Sequence, residues 1–240
     1  MRYKASISYN GSKFYGFQRL KNHPSVQEEL ERALTKINKN VVEVKGAGRT
    51  DRGVHAYNQM IHFDLNINID CDHLTKAINS LVNKYIKVNY CEEVSDDFHA
   101  RFDTKYKVYQ YVINLGEYDP IDEDFIYNYN HNLNIKKMKK AAKNLLGFHS
   151  YKAFTAGYRD SYNSVIYDIK FKKKKDILVI TFIGKSFYRY MVRNLVGALI
   201  QVGEEKTEAQ DITNMLNKET NSTHYVTVPA CGLYLVDIKY

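Results

Sequence analysis

Hydrophobic and polar positions recur along the chain with two periods, and the places where the period changes mark the elements. Tyr3 to Tyr9 alternates with period two and predicts a strand. From Ser25 to Ile37 the apolar residues Val26, Leu30, Ala33, Leu34 and Ile37 fall on one stripe, with Pro24 and Ser25 as the start signal, and predict a helix. Val41 to Val44 predicts a short strand, Ala56 to Leu65 a longer one, Asp72 to Tyr85 a second helix and Val88 to Val94 a further strand. The first half therefore reads β-α-β-β-α-β, with the stretch GAGRTDRGVHA, Gly46 to Ala56, between its middle strands.

The second half begins near Lys105. Lys105 to Asn114 (KYKVYQYVIN) predicts a long strand, Gly116 to Asn134 a polar connection, and Ile135 to Leu146 a helix. Val165 to Phe171 and Ile177 to Ile183 predict a hairpin around Lys172 to Asp176. Phe187 to Val202 predicts an apolar helix closed by Gly203 just past its end. Thr207 to Asn217 predicts another helix and Gly232 to Ile238 a last strand. The element order roughly repeats, and no low-complexity linker intervenes. The expectation is an α+β protein of two halves, residues 1–104 and 105–240, sharing one sheet, with a site in the cleft between them.

Composition narrows the classes. The chain has 240 residues, 35 Lys and Arg against 27 Asp and Glu, and a net charge of +8. A basic balance fits a polyanionic partner, nucleic acid or an acidic membrane surface, as well as a merely solubilising charge. Cys71, Cys91 and Cys231 are odd in number and far apart, so reduced thiols in a cytosolic protein are expected. MRYKASISYN lacks the apolar core of a secretory signal. The most apolar stretch, Met191 to Val202, is interrupted by Arg193 and too short to span a bilayer. The eight histidines form no HExxH, and no metal site is expected.

Candidate chemistry concentrates in three places. Gly46-Ala47-Gly48 starts like a dinucleotide fingerprint, but the frame runs GAGRTD and a strand-like segment follows, so no nucleotide cofactor is expected. Asp51, between Arg49 and Arg52, reads either as a turn residue capped by an arginine or as a chemical group. The helix around Arg193 is apolar on nearly all sides, which predicts a buried guanidinium needing an anionic partner. Asp51 is one candidate for that partner; Asp237 or a backbone carbonyl is the other. On the Lys105–Asn114 strand, Tyr109 and Tyr111 share a face with Ile113, while Tyr106, Val108 and Val112 share the opposite one. One aromatic facing a cleft could stack on a nucleobase; the others read as sheet packing. Lys172 to Lys175 reads as a solvated hairpin tip or a phosphate contact. FHARFDTKYK interleaves His99, Arg101, Lys105 and Lys107 with aromatics, which suits an RNA groove.

Taken together, GRTDRGVHA (Gly48 to Ala56), FHARF (Phe98 to Phe102), Tyr109-x-Tyr111, MVRNLVG (Met191 to Gly197) and GLYLV (Gly232 to Val236) resemble the tRNA pseudouridine synthases of the TruA type, in order and spacing, over essentially the whole chain. The resemblance implies the pseudouridine synthase fold: two pseudo-symmetric RRM-like or ferredoxin-like halves sharing a mostly antiparallel sheet around a central basic cleft. It implies Asp51 as the catalytic aspartate, Tyr109 as the tyrosine packing on the target uracil, Arg193 as the arginine pairing with the aspartate, and Arg49 as an RNA contact. Arg52, His55, His99 and Arg101 are further candidate RNA contacts on these motifs. The partner implied is tRNA, gripped by a cytoplasmic homodimer, with uridines at positions 38, 39 and 40, on the 3′ side of the anticodon stem-loop, as targets. Two departures stand out. Arg52 occupies a position where alanine is frequent, and Ile166 one where arginine is often found, which puts a secondary RNA contact in question.

The implied reaction breaks the N1–C1′ bond of uridine, turns the uracil and rejoins it through C5. Being an isomerisation, it calls for no cofactor and no metal. One carboxylate suffices, as a nucleophile at the sugar or as a base on a sugar proton. Both roles need Asp51 ionised, which a neighbouring arginine favours against burial. The alternatives are a synthase of the same family acting on another RNA, such as ribosomal RNA, and a non-catalytic RNA-binding module on the same scaffold.

Overall fold

The structure is a computed structural model describing residues 1–221 and 223–240. The first period-two segment is β1 (Arg2–Tyr9), whose inward Tyr3, Ala5 and Ile7 are fully buried. α1 (Val26–Asn38) starts where the sequence signals it: Ser25 Oγ accepts the Glu28 N–H at 3.3 Å, satisfying one orphan donor of the first turn. Its stripe Val26, Leu30, Ala33 and Leu34 is wholly buried. The predicted strand Val41–Val44 does not form. Val42 N–H donates to Thr35 Oγ1 at 3.1 Å and Val44 N–H to Glu31 Oε1 at 3.1 Å, so this segment is strapped to α1 by side chains. Val42 and Val44 are buried, which accounts for the alternation. The strand that does form is β2 (Lys45–Gly46), next in the chain.

β3 (His55–Asp64) follows the glycine-rich stretch, then α2 (Cys71–Leu81) and β4 (Ile86–Val94). Asp70 caps α2, its Oδ1 accepting from Asp72 and His73 N–H at 3.0 Å. α2 stops at Leu81, short of the predicted Tyr85, because Val82 is extended and Asn83 turns the chain, accepting from Tyr85 N–H at 3.0 Å. β1 lies between β3 and β4, antiparallel to both, with Tyr3 opposite Phe63 and Glu93. β2 adds antiparallel to β3, Lys45 facing His62.

β5 (Tyr106–Asn114), β6 (Tyr127–Asn128), α3 (Ile135–Ala142), β7 (Gly147–Ser150), β8 (Asn163–Lys174), β9 (Ile177–Gly184), α4 (Met191–Gly203) and α5 (Ala209–Lys218) follow. β5, β9, β8 and β7 pair antiparallel in that order, and β6 adds parallel to β5. The polar connection thus contains a strand, and the helix predicted to Leu146 ends in one tighter turn after Ala142. β7 carries no alternation to read, since Phe148 is 68% exposed. The hairpin is tighter than predicted: Lys172 to Lys174 pair with Val179 to Ile177, leaving Lys175 and Asp176 as the turn.

α4 starts four residues later than predicted. Tyr190 sits at its N-terminus in the left-handed region (φ 63°), and the Phe187 ring packs against Tyr109 instead. Gly203 lies inside the last turn, its carbonyl accepting from Asn134 N–H at 2.8 Å. Gly197 is required by close approach: a Cβ there would stand 2.1 Å from the Val226 carbonyl oxygen. The last strand, β10 (Leu233–Lys239), pairs parallel with β3, Tyr234 facing His55.

Contacts divide the chain into two units, Met1–Lys105 with Tyr234–Tyr240, and Tyr106–Leu233. Each is α+β with a mostly antiparallel sheet. The first core gathers Tyr3, Ile7, Leu30, Leu34, Ile61, Phe63 and Ile78; the second gathers Tyr111, Phe154, Phe182, Leu195 and Leu199, among others. Among the described residues no helix is long and apolar enough to cross a membrane.

Candidate active-site loop and its surroundings

The stretch from Gly46 to Ala56 runs from the end of β2 into the start of β3 through a loop fixed along its length. Ala47 N–H donates to the Met60 carbonyl at 2.8 Å, and Gln59 Nε2 donates to the Gly48 carbonyl at 2.8 Å. Thr50 is buried; its Oγ1 shares a 2.8 Å hydrogen bond with the Tyr9 hydroxyl, and its carbonyl accepts from Phe17 N–H at 3.1 Å. Burial pushes the Tyr9 phenol far above its ordinary value, so it stays a neutral hydrogen-bonding group. Asp51 opens a tight turn, its carbonyl accepting from Val54 N–H at 3.1 Å, with Gly53 at positive φ. Gly16, at φ +106°, passes so close that a Cβ would lie 2.8 Å from the Thr50 carbonyl oxygen. His55 is buried; its Nδ1 accepts from Gly11 N–H at 3.1 Å, and its ring stacks on Tyr234 at 4.8 Å.

The result is a half-buried Asp51 on a rigid turn between two exposed arginines, Arg49 and Arg52. Rigidity matters chemically, because a reacting carboxylate must hold its geometry within a fraction of an ångström. Tyr9, Thr50, Gln59 and Gly16 supply that rigidity. Sequence reasoning missed these anchors, because Tyr9 and Thr50 meet across 41 positions and nothing local signals the pair.

His99 and Arg101 lie elsewhere in the same unit, in the connection after β4. His99 Nδ1 accepts from Arg101 N–H at 3.1 Å, and its ring meets His62 edge-on at 4.7 Å. Burial first, then the neighbouring His99, lowers the His62 imidazole to about 4. His62 Nδ1 accepts from Ala100 N–H at 3.1 Å, which suits the neutral ring. His62 and His55 stand at opposite ends of β3, about 23 Å apart at ~3.3 Å per residue. His99 and Arg101 are therefore remote from the Asp51 turn. Arg101 is exposed, as is Phe102 beside it.

In the second unit, Tyr109 lies on the buried face of β5 with Tyr111 and Ile113. It is 7% exposed, and the Phe187 ring meets it edge-on at 5.2 Å. Arg193 stands in the first turn of α4. Its neighbours on the helix are buried, but Arg193 itself is half-buried, which corrects the expectation of full burial. Its Nε donates to the Val228 carbonyl at 2.7 Å, and its guanidinium carbon lies 4.9 Å over the Tyr190 ring. A backbone carbonyl is thus one of its partners. Asn194 fixes the same turn, donating to the Phe154 carbonyl at 2.8 Å and accepting from Thr227 Oγ1 at 2.6 Å. Asp237, the other carboxylate considered for Arg193, accepts from Asn58 Nδ2 at 2.8 Å and pairs with Lys239 at 2.7 Å. The four lysines of the hairpin, Lys172 to Lys175, are all exposed, and Ile166 is fully buried on β8.

Fold and loop together define an α+β protein of basic charge that displays one aspartate on a rigid turn flanked by arginines. The sequence profile of a family described as tRNA pseudouridine synthase matches residues 5–103 and 141–240. Proteins named tRNA pseudouridine synthase A are similar over the whole chain. That of Streptococcus agalactiae is 40% identical over 245 residues, covering 100% of this chain and 95% of that protein. That of Listeria monocytogenes is 42% identical over 245 residues, covering 100% and 99%. That of Streptococcus uberis is 38% identical over 245 residues, covering 100% and 98%. Among solved structures, the archaeal box H/ACA sRNP Nop10–Cbf5 complex matches at a TM-score of 0.37 and 9% identity, over 91% of this chain and 57% of that chain, a likeness too low to bear on the fold. The chain belongs to the tRNA pseudouridine synthase family.

Proposed function

We propose that the protein isomerises uridine to pseudouridine in tRNA, with Asp51 as the reacting group. The observation that carries this reading is the clamped turn that presents Asp51 between Arg49 and Arg52. Family membership supplies the reaction. The glycosidic N1–C1′ bond breaks, the uracil turns, a C5–C1′ bond forms, and the proton displaced from C5 passes to solvent while N1 regains one. The carboxylate attacks the sugar, forming an ester that is released when C5 bonds to C1′, or removes a sugar proton that it later returns; both routes start from the ionised Asp51 and neither consumes a cofactor.

Tyr109 packs on the target uracil and Arg193 holds the carboxylate in its charged form. The supporting features are Tyr109's place on an aromatic face and Arg193's fixed, half-buried guanidinium. His55 serves the loop, holding the Gly11 N–H and stacking on Tyr234, and so orients the turn next to it. Arg49 and Arg52 contact RNA at the turn, and His99 with Arg101 contacts it farther along. In this reading residues 1–104 carry the reacting aspartate and residues 105–240 the tyrosine and arginine. The enzyme works in the cytoplasm as a homodimer on uridines 38, 39 and 40, 3′ in the anticodon stem-loop.

Flipping the target base out of its stack costs a few kcal/mol. Stacking on an aromatic returns about 1–3 kcal/mol, and phosphate contacts supply the rest. The test is tritium release from 5-tritiated uridine in a panel of tRNA and ribosomal RNA transcripts. Wild-type protein is expected to release tritium from tRNA. Asp51→Asn is expected to bind the same tRNA with little change and release none; turnover by that variant refutes the assignment.

A further inference from the structure

Arg52, beside Asp51 on the turn, is not a loose surface charge. Its guanidinium carbon lies 4.1 Å from the centroid of the Tyr15 ring. The His23 ring stacks on the same tyrosine, centroid to centroid 4.2 Å and 17° from parallel. An imidazole and a guanidinium that close to one ring centroid would overlap if they shared a face. They therefore take opposite faces, and Arg52, Tyr15 and His23 form a three-layer stack. The segment between Tyr15 and His23 is closed by Tyr15 N–H donating to the Pro24 carbonyl at 2.9 Å and by the Leu20–His23 bridge. It is bound to the active-site loop by Phe17 N–H on the Thr50 carbonyl at 3.1 Å. The stack thus has a fixed position beside the Asp51 turn.

Stacking uses the faces of a guanidinium and leaves its N–H donors pointing outward in its plane. Arg52 is exposed, and no described side chain or backbone carbonyl accepts from it. Three other arginines of the unit are neutralised where they lie: Arg2 by Asp64, Arg19 by Glu31 and Arg32 by Glu29. A planar fork, pre-oriented by an aromatic and lacking an internal acceptor, matches a phosphodiester. Holding it in place beforehand removes much of the ordering cost of binding. A lysine would keep the charge and lose both the plane and the stack.

We propose that Arg52 is a phosphate grip for the RNA strand at the Asp51 turn, and that Tyr15 and His23 are positioning residues that hold its guanidinium. The proposal rests on the reading of the protein as an RNA-modifying enzyme and adds to it the device that fixes the strand next to the reacting carboxylate.

The test measures KM and kcat on a tRNA transcript, with the salt dependence of tRNA binding, for full-length variants. Arg52→Ala is expected to raise KM on the order of tenfold and to lower the slope of log affinity against log salt by about one phosphate contact. Tyr15→Leu is expected to raise KM several-fold while Tyr15→Phe, which keeps the ring, stays near wild type. The double variant Arg52→Ala with Tyr15→Leu is expected to be no worse than Arg52→Ala alone, because Tyr15 acts only through Arg52. An unchanged KM and salt slope for Arg52→Ala overturns the grip; fully additive losses in the double variant overturn the positioning role. Asp51→Asn in parallel separates the two readings. Turnover by that variant would remove the catalytic assignment without touching the salt slopes, and altered slopes cannot rescue a wrong reacting group.

Discussion

At the scale of single residues, the molecule surrounds the side chains proposed to act on RNA with groups that fix them. Asp51 is held by its turn, Arg52 by an aromatic ring, and Arg193 by the Val228 carbonyl. Arg193→Ala removes that charge-assisted bond and the cation proposed for Asp51. Its expected cost is about 1.5–3 kcal/mol of stability, seen as a drop of several degrees in Tm, together with a large fall in kcat. Full activity with an unchanged Tm would contradict it. Some of this was legible from the chain alone. The density of charged and glycine residues around Asp51 marked the loop, and the apolar helix around Arg193 marked a guanidinium in need of a partner. The Tyr9–Thr50 bond, the Gln59 anchor and the Tyr15–His23 stack were not legible, because each joins residues whose neighbourhood exists only after folding.

At the scale of elements, the period of the sequence found α1 and β1 to within a residue or two, where one buried stripe or face coincides with one element. It failed where side chains do the work of a ladder. Val42 and Val44 alternate like a strand, yet Thr35 and Glu31 of α1 take their N–H groups. It failed again at the start of α4, where Phe187 is spent on Tyr109 and the helix waits for Met191. β3 carries an element-level consequence of its own at its far end, where His62 is buried with a pKa lowered to about 4. The unfolded chain takes up that proton more readily, near pH 6.5. The stability contributed by the neutral ring is therefore fully present above about pH 6.5 and declines as pH falls toward 4. The expected outcome is a Tm that drops across this window in wild type and drops less in His62→Gln, followed by thermal melts at constant ionic strength. An identical pH profile for both proteins would show that His62 is not the group responsible.

At the scale of the whole molecule, the sequence order and the spatial order disagree in one place. Tyr234 to Tyr240 belong with Met1 to Lys105, and Tyr234 stacks on both His55 and Tyr57. Such a long-range closure is invisible to any local pattern, and the sequence reading, which divided the chain at a single point near residue 105, had no means to detect it. A chain ending at Leu233 leaves the edge of β3 unpaired beside His55. It is expected to lose activity and to be nicked by protease within residues 1–105 while the second unit resists, as mapped by mass spectrometry. Equal resistance of both units would show that β10 is dispensable. During synthesis the consequence is one of timing. The Asp51 turn leaves the ribosome long before the strand that braces its neighbour His55, so the part of the protein made first is the part completed last. Until then the nascent chain carries Asp51, the carboxylate proposed to react, on an unfinished frame, and the proposed chemistry on RNA is expected only once the chain has been made through β10.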